Sequence, residues 1–279
     1  FLKPHALVVC SPEQRRQTRL RFAREVSQLD FNDFVSAAVF QDDDLALGNP
    51  NLRPESTWVA DLTHERRFGE ISVLKLRAYH HWITDVEDLL PLTPTEEAPG
   101  NIGDGRRWGV QFESSIPMEW IGLPEARLDL SGRWQDSSVV DPVTGLNRVL
   151  SSEGDDDEET EELVFGSDNE YAVSMDFRQD FEDARVAWGW EAAFQAERPL
   201  FKVNELDIGD EGVELDAFVE TTRWLGLKLR LEISNLLDST ETRDRIRYAG
   251  ARALSPISRM QLEREVDGRE IELSISGSF

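Results

Sequence analysis

Polar and apolar residues alternate along most of the chain. In Gly109-Val110-Gln111-Phe112-Glu113-Ser114-Ser115-Ile116 the even positions are mostly apolar and the odd ones polar or glycine. Ala126–Trp134, Tyr171–Arg178 and Leu227–Ile233 repeat the pattern, and Glu270–Phe279 carries it to the last residue. A period of two over such lengths belongs to strands with one apolar and one polar face. The alternation predicts about eleven strands, near 3–11, 16–27, 54–68, 71–84, 105–116, 126–137, 168–179, 185–197, 213–223, 226–236 and 268–279. Only Pro12 to Arg16 offers a short helical turn.

The connections between these strands alternate in length. Short ones fall at 11–15, 68–70, 117–125, 180–184 and 224–225, and long ones at 28–53, 85–104, 138–167, 198–212 and 237–267. Short turns at one end and long loops at the other predict an all-β, antiparallel, up-and-down transmembrane β-barrel. The aromatic residues fit that direction. Trp58, Trp82, Trp108 and Trp134 are expected at the long-loop ends of their strands, on the apolar parity. Phe68, Trp120, Phe177, Phe181, Trp188, Trp224 and Phe279 are expected near the short-turn ends. Two such levels match the interfacial girdles that bracket an apolar band; Trp190 and Phe194 sit nearer mid-strand. The opposite parity carries charges of both signs, among them Arg21, Asp61, Lys75, Arg77, Glu113, Asp129, Asp176, Arg178, Glu191, Asp216, Glu220 and Arg230. That face must be wet or paired, because isolated buried charge is expensive.

Composition narrows the field. The 279 residues hold 30 Lys+Arg against 55 Asp+Glu, a formal net charge of −25, with 39% hydrophobic residues. Such an acidic chain argues against a nucleic-acid surface. No apolar run approaches the roughly 18 residues of a membrane helix, which leaves strands as the only spanning elements. Cys10 is alone, so no intrachain disulfide forms. The start Phe1-Leu2-Lys3-Pro4 has no leader or cap pattern and is expected to be a cut within a domain.

The sequence predicts no catalytic residue, no cofactor site and no metal site. His80 and His81 are neighbours on a strand and point to opposite faces. No nucleophile elbow, P-loop or dinucleotide fingerprint is present. The acidic run Glu153–Glu162 is dense enough in oxygen ligands for Ca²⁺, but it lacks the EF-hand order and is expected to be solvated and disordered. Phe31, Phe34, Phe40, Arg106, Arg107, Phe201, Lys202 and Arg245 lie in or beside the long loops as candidate ligand contacts, and no spacing among them selects a ligand.

Several segments resemble the C-terminal half of a TonB-dependent outer-membrane receptor. Leu47-Gly48-Asn49-Pro50-Asn51-Leu52-Arg53-Pro54-Glu55 is similar to the family's "GNPxLxPE" segment, which leads from an external loop into a strand. Its two prolines forbid ladder donation, as suits such a junction. Ile233-Ser234-Asn235-Leu236-Leu237-Asp238 resembles the "xNLxD" segment of the penultimate strand. Asn101-Ile102-Gly103, followed by Gly109 and Glu113, is similar to an intermediate-strand motif. The last stretch, with Ile271, Leu273, Ile275 and Phe279 on one parity, resembles the family's barrel-assembly signal.

The resemblance implies that residues 1–279 are the last eleven strands of a 22-stranded barrel. The plug domain, the TonB box and the first barrel half have no counterpart in this sequence. It implies an outer-membrane location in a Gram-negative bacterium and active uptake of a scarce nutrient such as siderophore-iron. Its implied partners are outer-membrane lipid, TonB through the plug, the barrel-assembly machinery and a small nutrient ligand. Two alternatives stay open at this point: a passive porin-like channel, and a soluble β-sandwich binding module. Eleven strands cannot close a cylinder sized for twenty-two, so an open, curved sheet is expected, with strands near 3–11 and 271–279 as unpaired edges.

Overall fold

The computed structural model describes residues 2–29, 31, 38–41, 44–68, 72–152, 169–224, 226–266 and 268–277. The strands begin with β1 (His5–Glu13), β2 (Arg16–Val26), β3 (Ala38–Gln41), β4 (Asp44–Leu47) and β5 (Ser56–Phe68). They continue with β6 (Ser72–Thr84), β7 (Glu87–Pro91), β8 (Glu97–Asn101), β9 (Gly105–Pro117) and β10 (Ala126–Val140). Next come β11 (Asn147–Arg148), β12 (Tyr171–Phe181), β13 (Val186–Gln195), β14 (Arg198–Phe201) and β15 (Glu205–Asp210). The last are β16 (Val213–Thr221), β17 (Lys228–Ser234), β18 (Glu241–Tyr248), β19 (Ile257–Glu265) and β20 (Glu270–Ser276).

Eleven of these form one antiparallel wall in the order β1-β2-β5-β6-β9-β10-β12-β13-β16-β17-β20, with the short β11 paired to β10. They are the eleven strands that the alternation predicts. Each pairs with its neighbours in the chain order of the long strands; at every second seam a short turn leaves no other partner within reach. The register is continuous, from Ala23 opposite Val59 to Leu231 opposite Leu273. A slip of one residue would carry every apolar side chain to the other face.

The wall is a single layer. Among the described residues no second sheet covers its apolar face, where Leu20, Leu62, Leu76 and Val110 are each about half exposed. Its polar face is the more buried of the two: Asp61, Arg133, Gln135, Ser174 and Glu220 are buried, although Glu113 and Arg127 stay about half exposed. A water-soluble sandwich has the opposite arrangement, so that alternative does not describe this chain. The first and last wall strands pair on one side only, β1 with β2 and β20 with β17. Among the described residues the wall is open.

Three expectations need correction. The segment Pro12 to Arg16 is no helical turn: β1 runs to Glu13 and Gln14-Arg15 is the tight turn into β2. Trp134 is not at a strand end, because β10 continues six residues beyond it to Val140. The long connections are not plain loops. Among the described residues they hold a four-stranded sheet, β14-β15-β18-β19, and two hairpins, β3-β4 and β7-β8. The acidic run Glu153–Glu162 and Phe279 lie outside the described residues.

Candidate functional site

Two surfaces carry the chemistry: the polar face of the wall and the layer built from the long connections. On the polar face, strand register sets opposite charges side by side. Asp61 accepts from Arg21 at 3.0 Å and from Arg77 at 2.7 Å, bridging three strands. Lys75 reaches Glu113 at 2.7 Å, and Arg77 also donates to Gln111 at 2.7 Å. Toward the short-turn end Glu220 binds Arg178 at 2.6 Å and Lys228 at 2.7 Å. These are cross-strand pairs of the kind that stabilise a sheet face.

The same register also opposes like charges. Asp129, Asp176, Glu191 and Asp216 stand directly opposite one another across β10, β12, β13 and β16. Arg127 lies 2.6 Å from Asp129, and the Asn235 amide N–H donates to Asp216 at 2.9 Å. Between these ends Asp176 and Glu191 have no ion pair among the described residues.

Near the long-loop end a polar chain crosses the wall. The Tyr79 hydroxyl donates to Gln135 at 2.7 Å, Gln135 donates to the Asn169 carbonyl at 2.8 Å, and Asn169 donates to Gln195 at 2.7 Å. The first of these bonds passes over β9 at Gly109. A Cβ there would lie 2.7 Å from the Tyr79 hydroxyl, so only glycine leaves room.

The apolar face carries the predicted aromatic residues. Trp58 stacks on Phe22 with ring centroids 5.0 Å apart, and Trp82 stands directly opposite Trp58 in the register. Trp108 meets Trp134 edge to face at 5.1 Å, although Trp134 is mid-strand, because the two form a diagonal pair: Trp134 lies two residues from Asp136, which stands opposite Trp108. Trp188, near the start of β13, packs on Phe177 at 5.2 Å, and Trp224 is exposed in the turn after β16. Ile271, Leu273 and Ile275 share this face, opposite Ile233, Leu231 and Leu229.

The motif residues fasten the layer beyond the wall. Asn49 forms a turn by accepting from the Asn51 amide at 3.0 Å, and it donates to the Pro99 carbonyl on β8 at 3.0 Å. Leu52 is buried, whereas Gly48 and Pro54 are half-buried and Pro50 is exposed. Asn101 accepts from the Arg53 amide at 3.0 Å and donates to the Arg53 and Asp85 carbonyls. Glu55 accepts from the Glu87 amide at 3.3 Å. The segment thus ties the start of β5 to the neighbouring β7-β8 hairpin.

Asn235 and Asp238 both take left-handed backbone conformations, φ 49° and 57°, which asparagine and aspartate tolerate best among residues with a side chain. The Asn235 side chain accepts from Ser239 and donates to the Gly268 carbonyl at 3.1 Å. Leu236 donates from its backbone to Leu215 at 2.7 Å. Together they pin the end of β17 beside the approach to β20.

The centre of the layer is a buried ion cluster. Arg148 binds Asp88 at 2.8 Å, Arg252 binds Asp141 at 2.8 Å, and Arg148 approaches Asp141 at 3.5 Å. Both guanidinium groups lie over the Phe201 ring, at 4.4 and 5.6 Å. Burial raises the Asp141 carboxyl, but hydrogen bonds from Arg252 and from the Val143 and Thr144 amides outweigh it and hold the group below its ordinary 3.8. A second cluster lies within the four-stranded sheet. Glu205 is almost fully buried and accepts from Arg245 at 2.8 Å and Arg247 at 2.5 Å, while Asp207 accepts from Arg243 at 2.6 Å.

Two of the candidate ligand contacts therefore have structural roles. Phe201 is covered by two arginines, and Arg245 is buried against Glu205. Sequence inspection missed their partners Asp88, Asp141, Arg148, Glu205 and Arg252, which stand up to 111 residues apart. Phe31 is exposed, and Phe34 lies outside the described residues, as does the Phe40 side chain. Among the described residues no group of three His, Cys, Asp or Glu side chains suits a metal ion.

Neither a family model nor a curated relative matches the sequence. Solved structures do. The ferric enterobactin receptor PfeA of Pseudomonas aeruginosa matches over 99% of this chain and 40% of its own, with TM-score 0.61 and 10% identity. The FrpB iron transporter of Neisseria meningitidis matches over 98% and 37%, with TM-score 0.57 and 11% identity. The ferric-catecholate import receptor Fiu of E. coli K12 matches over 98% and 34%, with TM-score 0.57 and 12% identity. The chain thus spans about two fifths of the length of these proteins or less. Two of them are named as receptors, for ferric enterobactin and for ferric catecholate, and the third as an iron transporter; this chain shares its fold with part of each.

Proposed function

We propose that residues 1–279 are the C-terminal part of the barrel domain of an outer-membrane TonB-dependent receptor. One observation carries the reading: the wall exposes its apolar face and gathers its charges, paired across strands and in part buried, on the other. That inversion is stable where lipid meets the apolar face and water or protein meets the polar one. The fold shared with three iron-uptake proteins supports the same reading. The nutrient is then a small, scarce ligand of the siderophore-iron class, received at the layer of long connections and passed along the polar face. In this reading Trp58, Trp82, Trp108 and Trp134 sit at one lipid interface, and Trp188 and Trp224 at the other. Ile271, Leu273, Ile275 and Phe279 serve recognition by the barrel-assembly machinery. The remaining partners are outer-membrane lipid and TonB, the latter through a plug.

The test is uptake by the full-length protein in a Gram-negative host, measured with and without TonB. Uptake that stops without TonB supports the proposal. Uptake that continues by diffusion supports a passive channel instead, and recovery of the protein in the soluble fraction refutes both.

A further inference from the structure

We infer that the described parts of the long connections form one cap that opens as a unit, with the Arg148–Asp141–Arg252 cluster as its clasp. Every long connection is bonded to another. The approach to β5 is tied to the β7-β8 hairpin through Asn49 and Asn101. That hairpin is tied to the segment after β10 through Asp88, whose carboxylate takes Arg148 at 2.8 Å and Ser151 at 3.0 Å. It is tied again to the β14-β15 turn, where Glu97 accepts from the buried Val203 amide at 2.9 Å. The β14-β15 hairpin shares a ladder with β18 and β19, and the Ser152 amide donates to the Pro199 carbonyl at 2.9 Å. Arg252 closes the circuit. Its side chain reaches Asp141 and donates to the Lys202 carbonyl at 2.6 Å, and its own amide donates to Val203 at 2.9 Å.

Apart from the approach to β5, which is held by the neutral side chains of Asn49 and Asn101, no connection in this circuit can swing out alone without stripping a buried charge of its partner. Arg148, Asp88, Asp141 and Arg252 are each less than a tenth exposed, and an uncompensated buried charge is far costlier than a broken surface pair. Partial openings are therefore penalised relative to the fully closed and fully open cap, which makes the cap a two-state element. The inference goes beyond the proposed function, since it does not depend on which ligand is taken up.

The experiment is hydrogen exchange by mass spectrometry on the full-length protein in lipid. In the unmodified protein, peptides from 85–104, 196–212 and 241–266 should share one opening rate, while wall strands exchange far more slowly. Three unrelated rates would overturn the inference. In Arg252→Gln the shared rate should rise at least tenfold in all three regions, with wall exchange unchanged. A rise confined to residues near 252, or no rise, would also overturn it. Should the variant lose wall protection through misfolding, the unmodified protein still decides.

Discussion

The wall leaves most of its paired cations partly in solvent, whereas the cap withdraws both partners. On the wall, arginines such as Arg21 and Arg77 reach Asp61 with about a third of each side chain still exposed. In the cap, Arg148 and Asp88 are almost wholly withdrawn from solvent and bound to each other. Exposed pairs are worth about 0–1 kcal/mol, whereas removing one partner of a buried pair costs about 3–5 kcal/mol. The wall takes its stability from backbone ladders and from its apolar face, and its ion pairs mainly fix register. The cap has few apolar residues to rely on. Its small cluster of Ile83, Val86, Val139 and Leu150 sits at its base, and its outer part depends on charges meeting correctly.

That contrast breaks most visibly at Asp88. Asp88→Ala should destabilise the cap by about 3–5 kcal/mol, because Arg148 stays buried without its carboxylate. Exchange protection at 141–152 would report it, and a loss below about 1 kcal/mol would mean that the cluster is wet. Asp61→Ala on the wall should cost less, about 1–2 kcal/mol by urea unfolding, since both freed arginines reach solvent. An effect as large as at Asp88 would erase the distinction.

Acid sharpens the comparison further. Asp141 is held below its ordinary 3.8 in the folded cap, so its contribution is complete above that value. It is lost as pH falls through the lower folded value. Cap peptides should then lose protection before the wall does, in an exchange series run downward from pH 5. The smallest effect is expected at Glu191→Gln, which removes one of the opposed carboxylates on the wall. It should stabilise by about 0.2–1 kcal/mol in the same urea assay, and a loss of stability would show that Glu191 has a cationic partner.

The wall was legible in the sequence because strands with one apolar and one polar face leave a strict signature. Leu227–Ile233 and Glu270–Ser276 alternate without a fault, and both are wall strands. The cap was not legible, for a physical reason. Its strands bury charged residues, so β15 and β18 read as polar connections although Glu205 and Arg245 are among the most buried side chains. Asp141 and Arg252 have no local pattern that could announce a bond across 111 residues. The motif segments were visible by resemblance, but not their work in fastening connections together, which rests on the side-chain amides of Asn49, Asn101 and Asn235.

The number of wall strands has a consequence for polarity. Eleven is odd, so in an antiparallel meander the first and last strands point the same way. Both β1 and β20 run from the long-connection end toward the short-turn end. Curling the wall shut would lay β20 alongside β1 in parallel, breaking the hydrogen-bond pattern kept at every other seam. Joining two copies edge to edge in the same orientation would create the same mismatch twice. A complement that keeps every seam antiparallel must have an odd number of strands, and its outermost two must run from the short-turn end upward.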